Sequence, residues 1–466
     1  YRGPIDTVPL ADATSAEELE QSLSKFDKIG PLQPAVVIDT TETTAKIYIK
    51  DIGNTELDIK SLSWARKYLS TNSRGKTPKQ ISEVLNKGDV IYLLSSEDKQ
   101  WQLAQLPQAE GALVAVSPYD GAVTALNGGF EYFQNKFNRV TQSRRQPGSG
   151  FKPYIYSAAL EKGYTAASII NDAPVVFDDP GLENVWRPEN YSGKFFGPTR
   201  LREALTHSRN LVSIRLLRDI TPEYAADYAS RFGFDIGQMP RNLSLALGSG
   251  SAAPWDMARA YSALANGGYR IEPYIIQHIE DAFGSIFYQA QPATVCETCV
   301  VPENTTETIV ESADDIVEMH FNAAKRIMTP QNNYIMNSLL RDVVRFGTGR
   351  KAMSLGRNDL AGRTGTTNDQ VDAWFNGFNP ELVAIAWVGF DSPRTLGHYE
   401  TGGRAALPMW IDFMKVALKD APEATLEQPV DMVTGKIDPE TGLLAHPDTK
   451  TAISESLRTQ YVPTEV

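Results

Sequence analysis

Arg145-Gln146-Pro147-Gly148-Ser149-Gly150-Phe151-Lys152-Pro153 is the stretch that decides how this chain is read. Four turn-forming residues lead into a helical pattern that runs from Lys152 to Lys162. Ser149 and Lys152 are three apart at the helix start, so their side chains lie on one face. A neutral lysine amine there takes the serine proton and generates a nucleophile. A helix N-terminus and nearby cations both disfavour the ammonium form of that lysine. The spacing alone is weak, because Ser22/Lys25, Ser73/Lys76 and Ser96/Lys99 repeat it in polar stretches. The residues around it must carry the assignment.

Two further short motifs follow downstream. Ser208-Arg209-Asn210 offers a hydroxyl to relay protons and an amide to hold a peptide bond, although Ser70-Thr71-Asn72 has the same form. Arg363-Thr364-Gly365-Thr366 is the one basic-Thr-Gly sequence of the chain and precedes a strand-like run. A cation and two hydroxyls on a strand suit a terminal carboxylate, and the glycine lets a substrate backbone approach. Around these motifs, Ala112 to Val116 and Val123 to Leu126 read as strands joined at Asp120-Gly121. Helical patterns cover Lys152 to Lys162, Leu201 to Ile220 and Pro254 to Asn266. Strands return near Ala373 to Phe378 and Leu382 to Phe390. Strands, then helices, then strands predict an α+β domain whose sheet uses both ends of the segment.

Ser-x-x-Lys, Ser-x-Asn and basic-Thr-Gly in that order are shared by penicillin-binding proteins and serine β-lactamases. The flanking residues are similar to class A penicillin-binding proteins in particular. They include Arg145 to Pro153, Trp186-Arg187-Pro188-Glu189-Asn190-Tyr191, Gly197-Pro198-Thr199-Arg200-Leu201-Arg202-Glu203-Ala204-Leu205, Leu245-Ala246-Leu247-Gly248-Ser249, Met257-Ala258-Arg259-Ala260-Tyr261, Gly362 to Asp369, and Ala373-Trp374-Phe375-Asn376-Gly377. The resemblance spans residues 108–420 and implies a penicillin-binding/serine β-lactamase-like transpeptidase domain. It implies a peptidoglycan D,D-transpeptidase that cross-links stem peptides ending in D-Ala-D-Ala and is acylated by β-lactams. Ser149, Lys152 and Ser208 take the catalytic roles. Asn210, Arg363, Thr364 and Thr366 bind substrate, and the backbone N–H groups of Ser149 and Thr366 form the oxyanion hole. No metal or organic cofactor is implied. One residue departs from the pattern: the family's third motif opens with lysine, and here it is Arg363. Arginine keeps the charge and can grip a carboxylate by two parallel hydrogen bonds, but it cannot shuttle protons with Ser208.

Upstream, Ala11 to Phe26 reads as a short polar helix. Ala35 to Ile38, Ala45 to Ile49, Val90 to Leu94 and Trp101 to Leu106 are strand-like. They predict a small β-domain at 34–107 that resembles the OB-like insertion of Gram-negative enzymes of the 1A type. Residues 1–33 would then be a linker after a missing glycosyltransferase domain, and 421–466 a Pro-rich tail low in order signals. Residues 1–106 carry 13 basic and 15 acidic side chains, which favours a structural or protein-binding role over single-strand binding.

The 466 residues carry a net charge of -12, and ten acidic residues with no basic one lie between Arg270 and Lys325. That stretch predicts an acidic surface insertion at about 279–323. Nucleic acid is excluded as a partner, since phosphate binding needs a basic footprint. Cys296 and Cys299 fall inside the insertion; a small-loop disulfide, which fits an oxidising compartment, is preferred over free thiols or half of a metal site. The longest apolar run, Leu382 to Phe390, is about half the ~20 residues needed to span a membrane. The resemblance therefore implies a periplasmic domain, attached to the inner membrane only through an N-terminal anchor outside this sequence. It also implies roles in cell shape and antibiotic resistance, and periplasmic or outer-membrane activator proteins as partners. Two rivals remain at this level: a β-lactamase or D,D-carboxypeptidase that sends the acyl-enzyme to water, and a non-enzymatic β-lactam sensor or wall-synthesis scaffold.

Overall fold

The structure is a computed structural model that describes residues 1–96, 98, 100–176, 186–296, 310–311, 316–317 and 322–463. The chain divides into two units. The first comprises Tyr1–Glu110, Gly129–Phe137 and Thr395–His398; the second comprises Gly111–Gly128, Asn138–Arg394 and Tyr399–Val466.

The first unit is built on a six-stranded sheet. Its path runs Asp6–Thr7, Asp89–Ser95, Leu32–Thr40, Thr44–Ile49, Gly53–Asp58, and Trp101–Ala104 pairs with Asp89–Ser95. Strands Gly53–Asp58 and Trp101–Ala104 come alongside each other, which curls the sheet towards a barrel. Alternation sets its interior: Ala35 and Val37, Ala45, Ile47 and Ile49, and Ile91 and Leu93 all point into one core. Residues 1–33 are part of this unit and not the linker that the sequence suggested. The strand Asp6–Thr7 pairs with Val90 and Asp89. The helix Ala16–Ser22 starts at a Ser15/Glu18 capping box and buries Leu19 and Leu23 against Val36 and Val90. That amphipathic contact, only two buried leucines wide, was too small a signal to stand out from a polar stretch.

The second unit centres on a five-stranded sheet in the order Val123–Asn127, Glu110–Val116, Leu382–Gly389, Asp372–Asn379, Ala361–Thr366. Both ends of the segment contribute strands, as the pattern predicted. The side-chain period of two explains why both faces are covered. Val114, Val116, Trp374, Phe378, Val383, Ile385 and Trp387 pack against the helices Lys152–Glu161, Asn210–Ile220, Pro254–Ala265 and Pro330–Arg345. Ala115, Phe375, Ala384 and Ala386 point the other way, against the helix Leu407–Ala417 through Leu407, Trp410 and Met414. Three of those four sheet residues are alanines, which lets that helix approach closely.

Helix Lys152–Glu161 is buried from Lys152 to Leu160, so it lies inside the helical layer and not on its surface. The helical pattern from Leu201 to Ile220 is two helices, Leu201–Thr206 and Asn210–Ile220, and not one. The break falls at Ser208, whose φ of 60° no helix accommodates. The C-terminal segment is likewise more ordered than its composition suggested. Met432–Ile437 and Ile453–Arg458 form an antiparallel hairpin.

Of the acidic insertion, residues 279–296, 310–311, 316–317 and 322–323 are described. His278–Glu280 pairs with Ile286–Gln289 in an exposed hairpin. Cys296 is disulfide-bonded, while Cys299 lies outside the described residues. No described helix is long and apolar enough to cross a membrane.

Candidate active site

The segment around Ser149, the expected nucleophile, is fastened to the sheet residue by residue. Arg145 Nε donates to Asp372 Oδ1 at 2.7 Å, and Trp387 Nε1 donates to the same oxygen at 2.9 Å. Trp374 Nε1 donates to the Gln146 carbonyl at 2.9 Å, and the Tyr261 hydroxyl to the Gly150 carbonyl at 2.7 Å. Gly148 has a φ of 55°, and a Cβ there would lie 2.7 Å from the Thr366 carbonyl oxygen. Only glycine lets the turn press this closely on the strand Ala361–Thr366. Ser149 is thereby held in the turn Gly148–Phe151, facing that strand, with Lys152 opening the next helix.

Ser208 completes the centre. Its positive φ costs about 1 kcal/mol or more for a non-glycine residue, and the strain has a geometric result. Both its carbonyl and its hydroxyl reach Lys152 Nζ, at 3.1 and 3.3 Å, while Asn210 Oδ1 accepts from the same amine at 2.8 Å. Ser208 Oγ lies 3.1 Å from Ser149 Oγ. Ser149 makes no hydrogen bond to Lys152 in this arrangement; Ser208 stands between them.

Lys152 is fully buried. Burial pushes its amine well below the ordinary lysine value, the nearby Arg363 cation lowers it further, and Asp172 pulls it back. A neutral amine has two N–H donors and one lone pair. The Ser208 carbonyl and Asn210 Oδ1 accept only, so they take the two donors. The lone pair is then left for the Ser208 hydroxyl.

Arg363 is where sequence and structure part. The expectation was a cation gripping a substrate carboxylate. Arg363 is instead fully buried under the cleft, with Nε donating to the Ser149 carbonyl at 3.2 Å and Nη1 to the Leu205 carbonyl at 2.8 Å. The side chain at this strand position points down between the nucleophile turn and helix Leu201–Thr206, so it holds backbone and does not face solvent. Burial lowers its guanidinium to about 10, which still leaves it charged at neutral pH. Thr364 and Thr366 do line the cleft. Thr364 Oγ1 shares a 2.7 Å hydrogen bond with Thr348 Oγ1, and Thr366 Oγ1 accepts from the Gly402 N–H at 3.0 Å.

The cleft holds about 700 Å³ and is lined by Ser149, Ser208, Asn210, Thr364 and Thr366 together with residues that the motifs did not assign. Among these is Asn190. Its Oδ1 accepts from the Asn210 N–H at 2.8 Å. Its Nδ2 donates to Asp172 at 2.8 and 2.9 Å and to the Lys194 carbonyl at 2.9 Å. A buried asparagine satisfying three elements fixes the start of helix Asn210–Ile220. The Trp186 to Tyr191 segment signalled its importance, but not its role. Thr348 was also missed, and its flanking Gly347 and Gly349 were the only signal. Arg209 lines the same cleft.

Comparison with known proteins shows the family and the fold. The penicillin-binding protein OB-like domain family matches residues 1–109, and the penicillin-binding protein transpeptidase domain family matches residues 111–388. Penicillin-binding protein 1A of Pseudomonas aeruginosa is 42% identical over 100% of this chain, which spans 59% of that relative. The crystal structure of penicillin-binding protein 1A from Haemophilus influenzae superposes with a TM-score of 0.87 at 34% identity, covering 100% of this chain and 68% of that one. The PonA1 protein of Mycobacterium tuberculosis, solved in complex with penicillin V, gives a TM-score of 0.55 at 25% identity over 70% of this chain and 82% of its own.

Proposed function

Because this chain belongs to the penicillin-binding protein transpeptidase family, we propose that it is a D,D-transpeptidase that cross-links peptidoglycan stem peptides through an acyl-enzyme on Ser149. The observation that carries the reading is the path Ser149 Oγ, Ser208 Oγ, Lys152 Nζ, with steps of 3.1 and 3.3 Å and a buried amine whose charged form is disfavoured.

The donor is a stem ending in D-Ala-D-Ala. Ser149 Oγ attacks the penultimate carbonyl while its proton passes through Ser208 to the Lys152 lone pair. The N–H groups of Ser149 and Thr366 hold the developing oxyanion; losing one such donor costs about 3 kcal/mol. When the C–N bond breaks, the Lys152 proton returns through Ser208 to the departing D-alanine amine. A second stem's amine then attacks the ester, and Ser149 recovers a proton as the new amide forms. Arg363 offers no free face to substrate, so the terminal carboxylate falls to the Thr364 and Thr366 hydroxyls. Thr366 Oγ1 accepts from Gly402, which leaves its O–H to donate. Asn210 gives one N–H to the Glu189 carbonyl at 2.9 Å, and its other N–H remains for a substrate carbonyl. A β-lactam enters as a donor mimic.

The same kinship supports action in the periplasm, with inner-membrane attachment and any activator contacts lying in the whole protein. Labelled penicillin should attach to Ser149 and persist, and Ser149→Ala should abolish labelling with the melting temperature retained. Labelling that survives in that variant would overturn the assignment, and rapid hydrolysis of the adduct would turn it into a β-lactamase.

A further inference from the structure

We propose that Arg209, the middle residue of Ser208-Arg209-Asn210, is the anion-binding side chain of this cleft and holds a carboxylate carried by the donor stem upstream of the bond being broken. This rests on the transpeptidase reading above.

The argument begins from what Arg363 does not do. With Arg363 and Lys152 buried beneath the floor, Arg209 is the only lysine or arginine among the described residues that line the cleft. Its backbone is fixed: its N–H donates to the Ala204 carbonyl at 2.8 Å, and its own carbonyl accepts from Ser213 Oγ at 2.9 Å. Its side chain is fixed as well, because the guanidinium lies 3.2 Å from the Phe196 ring centroid. An aromatic face orients a cation without cancelling its charge.

Nothing else in the described residues neutralises it. The two carboxylates that act on it are Asp172 and Glu203, and burial lowers its guanidinium from the ordinary arginine value against their pull. Both are engaged elsewhere. Asp172 accepts two hydrogen bonds from Asn190, and Glu203 pairs with Arg200 at 3.0 Å and His207 at 3.4 Å. Folding therefore partly desolvates Arg209, stacks it on Phe196 at the cleft and leaves its fork of donors without a hydrogen-bond partner among the described residues. A carboxylate is the partner such a fork fits best.

Position selects which carboxylate. The terminal one lies by the hydroxyls of Thr364 and Thr366, on the strand wall. Arg209 is on the other wall and adjoins Asn210, which holds the donor amide. An extended donor continuing past Asn210 brings its upstream residues to Arg209, so the recognised stem is one with an acidic group before the D-Ala-D-Ala end.

The test uses two synthetic pentapeptides ending in D-Ala-D-Ala, one with a free upstream carboxylate and one with it amidated. D-alanine release is followed with the wild type, Arg209→Gln and Arg209→Lys, and thermal melting verifies each fold. In the wild type, amidation should lower kcat/KM about tenfold. In Arg209→Gln the two peptides should be equal, and Arg209→Lys should restore part of the difference. A difference that is the same in wild type and Arg209→Gln overturns the inference. Failure of wild-type Ser149 to take up penicillin overturns the transpeptidase reading instead.

Discussion

At the scale of single residues, the centre is a problem of keeping an amine neutral inside a folded protein. Lys152 is buried, and Arg363 sits close enough to oppose a second positive charge, while Asp172 favours it. These are the two charged groups that bear on the amine, one from the strand Ala361–Thr366 and one from the strand Ile169–Asp172. Only the neutral form accepts a proton from serine, so acylation by penicillin should rise with pH through the Lys152 value and then level. Removing the cation favours the ammonium, which raises that value. Arg363→Met should therefore move the acid limb of the acylation profile to higher pH. Arg363→Lys keeps a cation and should leave the limb near its wild-type place while slowing acylation, because one ammonium cannot span the Ser149 and Leu205 carbonyls as the guanidinium does. The measurement is the second-order acylation rate across pH, with melting temperatures in parallel. An acid limb that does not move in Arg363→Met would show that burial alone sets the lysine.

At the scale of elements, what the sequence made legible and what it hid follow one rule. Buried strands could be read: Leu382–Gly389, an unbroken apolar run, and Asp372–Asn379, with its Ala373-Trp374-Phe375 core, lie where the pattern put them, since both are buried almost throughout. The order of the three motifs pointed to Ser149, Ser208, Thr364 and Thr366, which line one cleft, because each motif is local in sequence. The orientation of Arg363 could not be read. An arginine at a strand position has the same spelling whether it faces a cleft or donates beneath it to carbonyls 158 and 214 residues away. Asp172 and Asn190 act through contacts made by folding, with no spacing to announce them. The C-terminal hairpin shows the same limit. Its order comes from buried ionic contacts as much as from apolar alternation. Glu455 is buried and takes two hydrogen bonds from Arg202, at 2.8 and 2.5 Å; Arg202 also reaches Asp342 at 2.7 Å and Ser338 at 3.0 Å. Arg458 donates to the Leu160 carbonyl on the nucleophile helix. Breaking such a pair from one side leaves an uncompensated buried charge. Glu455→Ala should lower unfolding stability by about 3 kcal/mol, read by denaturant unfolding. A loss below about 1 kcal/mol would mean that Asp342 alone satisfies Arg202 and that the hairpin is held by its apolar contacts.

At the scale of the whole molecule, each unit has a main core of its own. Ala35, Ile47, Ile91 and Leu93 belong to the core of the first unit, and Val114, Tyr154, Leu211 and Trp387 to the main core of the second, with no residue in common. Each unit is interrupted in sequence: Gly129–Phe137 and Thr395–His398 belong to the first unit although they are embedded in the second. Sequence reading placed a boundary near residue 107 but had no means to see these two returns, which carry no composition shift. Separate cores predict separate unfolding, since cooperativity follows shared buried surface. Calorimetry of the intact chain should resolve two transitions. Acylation of Ser149 adds ligand contacts to the native second unit alone and should raise only its transition. Leu93→Ala, at a fully buried site of the first core, should lower only the other, by about 3 kcal/mol. The two perturbations assign the peaks independently, so a single transition shifted by both would mean that the units unfold as one and that acylation at Ser149 is felt throughout the chain.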